Sequence, residues 1–239
     1  VRLAMTETVT GDTAESFLWA LDLAWGYGAR PPLYAWIQHA VNAVFGPTLH
    51  PGRLQAMRRM QIDPGAEILE VGVGTGINAS LYPRECQVTG IDFSASMLEK
   101  AHERIERLHG FVDERIEREG IRNMRLFQMD AADLQFADDS FDIVYAPYLI
   151  SVVPDPVQVA REMRRVCKPG GRIIFLNHFR SPNPVLAFFE RLISPLTIHI
   201  GFKADLDLPG FLDQAKLTPV SVEKVNIPRI WSLVTCVKE

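Results

Sequence analysis

Short apolar runs alternate with helical patterns through most of the chain. Apolar runs between turn signals predict strands near 67–71, 87–91, 124–128, 141–146 and 172–178. Apolar residues at helical spacing predict helices near 76–82, 95–118 and 156–166. A further helix is expected over Asp207–Ala215, followed by strands over Pro219–Val225 and Ile230–Val237. This alternation predicts an α/β fold, in which a parallel sheet has helices on both faces.

Amphipathic patterns precede this alternation. Apolar helices are expected over 12–25 and 33–45, and in the second the apolar residues recur at i, i+3, i+4 and i+7 to form one stripe. A short basic helix over 53–60 follows. The predicted units are N-terminal amphipathic helices at 1–60, for cap and membrane contact, and a domain at 61–239 with an apolar insertion near 181–205.

Composition narrows the functional classes. The 239 residues, of which 47% are hydrophobic, suffice for one domain with an appended segment and a large core. The net charge of −4 argues against a nucleic-acid-binding protein, which usually carries a basic excess. Cys86, Cys167 and Cys236 are far apart, which indicates reduced thiols in the cytoplasm and neither disulfides nor a zinc site.

The glycine-rich stretch from Glu70 to Gly76 carries the clearest chemical signal. Its glycines directly follow the first predicted strand, and they let the backbone turn tightly and approach a ligand. The helix that begins next points free N–H groups at that ligand. Asp92 ends the following strand, where a carboxylate can accept hydrogen bonds from both hydroxyls of a ribose. Together these features predict a cofactor that contains a nucleoside.

The glycine spacing distinguishes between kinds of cofactor. A dinucleotide site needs G-x-G-x-x-G, whereas here the third glycine is Gly76 and Ile77 follows it. Glu70 precedes the glycines, and a carboxylate there would repel a pyrophosphate but suits a cationic ligand. This E-x-G-x-G-x-G turn resembles motif I of class I S-adenosylmethionine-dependent methyltransferases.

Further stretches resemble elements of the same family, and with the loop they extend from about residue 65 to 176. They are 92–101 (D-x-S-x-x-M-L-x-x-A), 130–134, 136–142 (F-A-D-x-S-F-D) and 168–171 (K-P-G-G). The resemblance implies a Rossmann-like fold with a seven-stranded, mostly parallel sheet, helices on both faces and an antiparallel last strand, in addition to the N-terminal helices. It also implies S-adenosylmethionine as the cofactor, S-adenosylhomocysteine as its product, and no metal.

The resemblance assigns cofactor contacts to the matching residues. The loop would meet the methionine part and Asp92 the ribose, while Phe93 and Met97 would cover the adenine or, equally, be plain core residues. The candidate cofactor-binding residues are Glu70, Gly72, Gly74, Gly76, Asp92, Phe93, Met97, Asp130, Ala131 and Tyr145.

Methyl transfer from a sulfonium is an in-line displacement, so the protein mainly has to orient the acceptor and exclude water. An amine acceptor must first lose a proton. Tyrosine hydroxyls can hydrogen-bond an amine, their rings can face a developing cation, and a histidine can act as a general base. The candidate catalytic residues are Tyr34, Tyr145, Tyr148 and His178. As alternatives, the strand tyrosines are packed strand ends and His178 is a structural histidine.

Several features favour a lipid acceptor. They are the aromatic, apolar N-terminal helices, an apolar segment at 185–202, and the cations around both. Amphipathic helices with Trp and Phe can lie in a membrane interface, and cations can meet phosphate head groups. The candidate substrate- or phosphate-binding residues are Arg53, Asn177, Arg180 and Lys203. The alternative is a lid that covers the active site and packs on the sheet.

Segments 45–53, 146–156 and 177–179 resemble bacterial phosphatidylethanolamine N-methyltransferases of the peripheral type. This implies stepwise methylation of phosphatidylethanolamine to phosphatidylcholine, in phospholipid biosynthesis. We expect a cytoplasmic monomer bound peripherally to anionic lipid at the inner face of the membrane, with no nucleic-acid partner. Tyr34-Ala35 matches the start of the family motif Y-A-x-W-A-P-x-Y-D, but Val41-Asn42 replaces its later Tyr-Asp. Tyr34 nevertheless remains a candidate to close over the amine.

Other functions remain open. One is methylation of a quinone or another small lipophilic acceptor, although the F-G-x-R-N element of quinone methyltransferases is not seen after the fourth strand. The other is a non-catalytic membrane-surface module, against which the intact glycine loop and Asp92 argue.

Overall fold

The computed structural model describes residues 49–110, 124–181, 205–226 and 230–239. The helices expected before residue 49 lie outside these ranges, as does the apolar insertion except for its two end residues. Two candidate site residues, Tyr34 and Lys203, also lie outside them.

Strands and helices alternate through the described residues. The strands are β1 (Glu67–Val71), β2 (Gln87–Asp92), β3 (Met124–Gln128), β4 (Phe141–Pro147), β5 (Cys167–His178), β6 (Pro219–Val225) and β7 (Trp231–Val237). The helices are α1 (49–60), α2 (Ala95–Gly110), α3 (Pro156–Val166) and α4 (Leu208–Ala215), with a 3₁₀ helix over Ile77–Leu81.

The strands form one seven-stranded sheet in the order β3-β2-β1-β4-β5-β7-β6. The first five strands pair in parallel, while β7 is antiparallel to both β5 and β6. This confirms the predicted fold class. The strand order reverses between β1 and β4, and in open α/β sheets such a point leaves a ligand crevice at the carboxyl ends of the strands.

The two faces of the sheet are covered by different helices. Ile68 of β1 packs with Ile143, Ile174 and the buried residues Ala56 and Met60 of α1. On the other face, Met163 of α3 and Phe211 of α4 pack in one cluster with the alternate strand positions, which include Leu69, Val144 and Ile173. Because side chains alternate along a strand, Glu70 shares the α1 face with Ile68.

Side-chain caps explain where two of the helices begin. The Asp155 carboxylate accepts a hydrogen bond from the Gln158 amide at 2.9 Å, and Pro156 occupies the first helical position of α3. Asp207 caps α4 in the same way, through the Gly210 amide at 2.8 Å. The helix expected over Asp207–Ala215 is thus present as α4, with Asp207 as its N-cap.

Local differences from the predicted elements have physical reasons. The segment after the glycine loop is a 3₁₀ helix of five residues, because Gly76 is left-handed at its start and Tyr82 is extended at its end. Strand β5 begins at Cys167 and not at 172, since Gly170 and Gly171 exchange backbone hydrogen bonds with Lys238. The described part of α2 ends at Gly110, and 111–123 lies outside the described residues. In the described ranges, no helix is long and apolar enough to cross a membrane.

Candidate active site

The glycine loop has the backbone that its sequence predicts. Gly72, Gly74 and Gly76 have φ values of 76°, 56° and 73°, in the left-handed region that favours glycine. A Cβ at Gly72 would lie 2.8 Å from Cδ1 of Leu149, so packing as well as conformation requires glycine there. The amides of Gly72 and Val73 both donate to the Ile91 carbonyl at 2.9 Å, which ties the loop to the end of β2.

Asp92 is fixed against this loop by backbone amides. Its Oδ2 accepts a hydrogen bond from Gly74 N at 2.8 Å, and its Oδ1 accepts one from Ser94 N at 2.9 Å. Burial raises the pKa of Asp92, while these hydrogen bonds act to lower it. A carboxylate has about four acceptor positions, so Asp92 can still accept from two ribose hydroxyls.

The residues assigned to the adenine differ in exposure. Phe93 is 61% exposed and so its ring is open to stacking against a base, whereas Met97 is buried and packs in the protein. Asp130 is exposed, and its Oδ1 accepts from the Ala132 amide at 2.8 Å. Ala131 packs against the core. The geometry therefore suits Phe93 and Asp130 for ligand contact better than Met97.

Glu70 is buried on the α1 side of the loop, at 1% exposure. Its Oε1 accepts a hydrogen bond from Asn78 Nδ2 at 2.6 Å, and its Oε2 accepts one from the Tyr82 hydroxyl at 2.7 Å. Asn78 Oδ1 in turn accepts from Arg53 Nη1 at 3.0 Å. Burial raises the pKa of Glu70 to about 7, although both hydrogen bonds and the Arg53 charge act to lower it.

Tyr148 lies just beyond β4, where it holds α1 in place. Its hydroxyl donates to the Leu49 carbonyl at 2.7 Å and accepts from Asn226 Nδ2 at 3.0 Å. The Arg53 guanidinium carbon lies 4.9 Å from its ring centroid, a cation–π distance. Its φ of 57° is unusual for a residue other than glycine, and backbone strain of this kind often occurs at functional sites.

An aromatic row lies at the carboxyl edge of the sheet. It consists of Tyr148, Trp231 and His178, with the Trp231 ring centroid 5.1 Å from that of Tyr148 and 5.8 Å from that of His178. Tyr145 is fully buried opposite Glu70 in the β1–β4 register. The Tyr145 hydroxyl has no hydrogen-bond partner among the described residues, and burial holds its pKa well above the usual range. The structure thus brings three candidate catalytic residues to the α1 face.

The candidate phosphate-binding residues do not converge in the same way. Arg53 is 7% exposed and engaged with Asn78 and Tyr148. Asn177 is buried, where it accepts from Ser151 and donates to the His178 carbonyl. Arg180 forms an ion pair with Asp207.

Sequence reasoning missed several residues that organise the site. They are Asn78, Tyr82, Asn226 and Trp231. Asn78 and Tyr82 have a signal in hindsight, since they are four positions apart directly after the loop. Asn226 and Trp231 have none, because each meets its partner from more than 50 positions away in sequence, as with the pair Asn226–Tyr148 at a separation of 78. Within the described ranges, no group of three or more His, Cys, Asp or Glu side chains could hold a metal ion.

Comparison with known proteins agrees with this geometry. Residues 69–175 match a protein family described as a methyltransferase domain. Over 162 residues the chain is 41% identical to a phosphatidylethanolamine N-methyltransferase of Cereibacter sphaeroides, which covers 66% of this chain and 75% of that protein. The chain belongs to the S-adenosylmethionine-dependent methyltransferases.

Other known proteins are similar to this chain at lower sequence identity. This methyltransferase is 34% identical over 138 residues to a demethylmenaquinone methyltransferase of Listeria welshimeri, a match that covers 56% of this chain and 54% of that protein. It therefore spans about half the length of that relative. A solved S-adenosylmethionine-dependent methyltransferase of Methanosarcina mazei shares its fold, with a TM-score of 0.58 at 20% identity over 76% of this chain and 96% of that one.

S-adenosylmethionine is the cofactor of this methyltransferase, and it supplies the activated methyl group. The residues at the site fit it. Gly72 and Gly74 keep the loop clear of side chains, Asp92 retains acceptor positions for a ribose, and Phe93 exposes an aromatic ring beside it.

Proposed function

We propose that this methyltransferase methylates the amine of phosphatidylethanolamine and of its mono- and dimethyl derivatives, giving phosphatidylcholine. The observation that carries the proposal is the row of Tyr148, Trp231 and His178 at the carboxyl edge, on the same face as Glu70 of the cofactor loop. Aromatic faces attract alkylated ammonium groups, and such a group forms at every step of this series. The similarity to the Cereibacter protein also supports this acceptor.

The charge near the site favours a reactive amine. Arg53 lies over the Tyr148 ring, and its charge acts against the rise in the pKa of both Tyr145 and Tyr148. A neighbouring cation lowers the pKa of an amine and so favours the neutral form with its free lone pair. In the proposed reaction, His178 accepts the proton that the ammonium loses, and Tyr145 hydrogen-bonds the nitrogen.

The proposed phosphate contacts are cationic side chains. Arg180 and Lys203 bind the phosphate, with Arg180 released from Asp207 or sharing its guanidinium with both groups. Arg53 and Asn177 act indirectly, because their polar atoms already bond within the protein. Tyr34 closes over the amine from the N-terminal helices.

We also propose peripheral contact with the inner face of the cytoplasmic membrane. The N-terminal helices at 1–60 and the apolar insertion near 181–205 would bury apolar side chains in the interface, with help from anionic lipid. Deleting residues 1–45 should then lower binding to anionic vesicles in a flotation assay. Unchanged binding would transfer the membrane role to the insertion or remove it.

A quinone acceptor is the second candidate. It is favoured by the 34% identity to demethylmenaquinone methyltransferases, whose acceptor is also lipophilic. A non-catalytic membrane module is disfavoured by the intact loop and by Asp92.

The deciding experiment is methyl transfer from labelled S-adenosylmethionine to vesicles with and without phosphatidylethanolamine. Thin-layer separation of the lipids should show labelled mono-, di- or trimethylated product, and a His178→Asn variant should form it more slowly while binding the cofactor normally. Absence of labelled phospholipid, with cofactor binding intact, would overturn the proposal. Label in a supplied demethylated quinone would then support the second candidate.

A further inference from the structure

The Glu70 carboxylate is enclosed by neutral hydrogen-bond donors. The Tyr82 hydroxyl and the Asn78 amide occupy its two oxygens, at 2.7 and 2.6 Å. Among the described residues, the cation linked to this carboxylate is the Arg53 guanidinium, which reaches it through Asn78. A buried carboxylate without a cation in direct contact gains little in return for losing its water, so its charged form is disfavoured.

The cofactor brings the missing positive charge. Glu70 lies two residues before Gly72, on the strand β1 that leads into the cofactor loop. S-adenosylmethionine carries a sulfonium, whereas S-adenosylhomocysteine has a neutral thioether at the same position. A carboxylate in low dielectric therefore interacts differently with the two molecules, even though they have nearly the same shape.

We propose that Glu70 discriminates cofactor from product through its own charge, because S-adenosylmethionine holds it in the ionised form whereas S-adenosylhomocysteine leaves its proton equilibrium as in the free protein. Binding of the sulfonium releases to solvent the proton that Glu70 carries in the free protein. After the methyl group has left, the sulfur is neutral and Glu70 returns to the proton equilibrium of the free protein, so below neutral pH it takes a proton back from solvent. The ionised carboxylate thus strengthens binding of the cofactor and not of the product, whichever acceptor is methylated.

Other charged and titratable groups surround Glu70. They are Arg53 on α1, Tyr82 after the 3₁₀ helix, Asp92 on β2 and Tyr145 on β4. Both tyrosines have pKa values well above their usual range, chiefly through burial. Burial raises the pKa of Asp92 as well, and the two amides that bond its carboxylate oppose that rise. Burial brings the pKa of Glu70 itself to about 7 in the free protein.

Calorimetry of the full chain tests this proposal directly. S-adenosylmethionine and S-adenosylhomocysteine are titrated between pH 6 and 7.5, in buffers with different ionisation enthalpies, so that released protons can be counted. We expect close to one proton released per S-adenosylmethionine at pH 6, and about fivefold to tenfold tighter binding at pH 7.5. Binding of S-adenosylhomocysteine should release almost no proton and change little in affinity.

Substitutions assign the proton to Glu70. Glu70→Gln should abolish the difference between the two ligands in proton release and in pH dependence. Glu162→Gln is the matched control, because the Arg165 hydrogen bond holds the pKa of that carboxyl low and it therefore does not titrate in this range.

A second variant decides the matter if Glu70→Gln does not fold or bind. Tyr82→Phe removes a donor that favours the charged carboxylate, so the pH dependence of S-adenosylmethionine binding should move to higher pH while S-adenosylhomocysteine is unaffected. Equal proton release by both ligands in the natural protein, or a pH dependence that neither substitution alters, would overturn the proposal.

Discussion

Glu70 ties the stability of the free protein to pH. Its pKa is about 7 when folded, against an ordinary value of 4.5, so the folded protein binds this proton more tightly than the unfolded chain does. The stabilisation is fully present below the unfolded pKa and is lost as pH rises through the folded pKa. This carboxyl therefore favours folding in mild acid and opposes it above neutral pH.

Glu70→Gln should remove this dependence. Between pH 5 and pH 8 the natural protein should lose up to about 3 kcal/mol of unfolding free energy relative to the variant, since each pKa unit corresponds to about 1.4 kcal/mol. Urea unfolding of both proteins at each pH measures the difference. Parallel losses in the two proteins would contradict the assignment of this proton to Glu70.

Two glycines with left-handed φ values allow the energetic cost of backbone conformation to be measured separately from that of side-chain packing. Gly72 has a φ of 76° and a Cβ there would meet Leu149 at 2.8 Å, whereas Gly170 has a φ of 75° with nothing within 4 Å of such a Cβ. Alanine at Gly170 should cost about 1 kcal/mol, the penalty for a left-handed residue. Alanine at Gly72 should cost about 1–3 kcal/mol more through overpacking, and it should also weaken cofactor binding. Similar thermal unfolding of the two variants would show that Leu149 simply moves aside.

Helix α1 is held in place by its own backbone. Its Leu49 carbonyl accepts from Tyr148, and the amide of Gly52 donates to Asn226 Oδ1. Asn226 also donates to the Tyr148 hydroxyl, so one side chain joins the turn after β6, the end of β4 and α1. Any lipid-binding role of the aromatic row depends on this attachment, because Arg53 lies over Tyr148 only while α1 is docked.

Asn226→Ala should loosen this attachment. It leaves the buried Gly52 amide without its acceptor and removes one of the two hydrogen bonds of the Tyr148 hydroxyl, which together cost about 1–3 kcal/mol in unfolding free energy. Arg59→Ala is the control, since its ion pair with Glu223 is largely exposed and contributes less than about 1 kcal/mol. Chemical denaturation of both variants measures the costs. Equal costs would mean that α1 is held by its apolar side alone.

Elements set by local pattern were predictable, and elements set by distant contacts were not. The predicted ranges of β1, β3 and α3 coincide with the observed ones. β1 is a continuous run of buried residues and α3 buries residues at helical spacing, so local pattern suffices for both. The early start of β5 could not be predicted, since Lys168–Gly171 has the sequence of a turn and becomes a strand only by pairing with Lys238. Local sequence carries no information on that partner.

The same division applies to the site. The glycine loop and the place of Asp92 followed from the sequence, because both belong to consecutive strands of one parallel unit. The hydrogen-bonded series from Glu70 through Asn78 to Arg53 did not, since it depends on how α1 packs across the sheet. Asn177 shows that sequence position alone can mislead. It lies next to His178 at the end of β5, but its side chain faces the other way and bonds to Ser151.

Cofactor binding should stabilise the whole molecule, because the site is assembled from β1, β2 and the loop only in the folded state. At 100 times its dissociation constant, S-adenosylhomocysteine should add about 2.7 kcal/mol, which corresponds to a rise of about 5–10 °C in Tm for a chain of this size. Asp92→Ala should abolish that rise, since the loop amide of Gly74 and the ribose both lose their acceptor. Asp213→Ala, on the exposed side of α4, should retain it in full.

Binding of Asp92→Ala to anionic vesicles should stay at the natural level, which distinguishes a lost cofactor site from a lost fold. A ligand-induced rise in Tm that survives Asp92→Ala would refute the assignment of the ribose to this carboxylate.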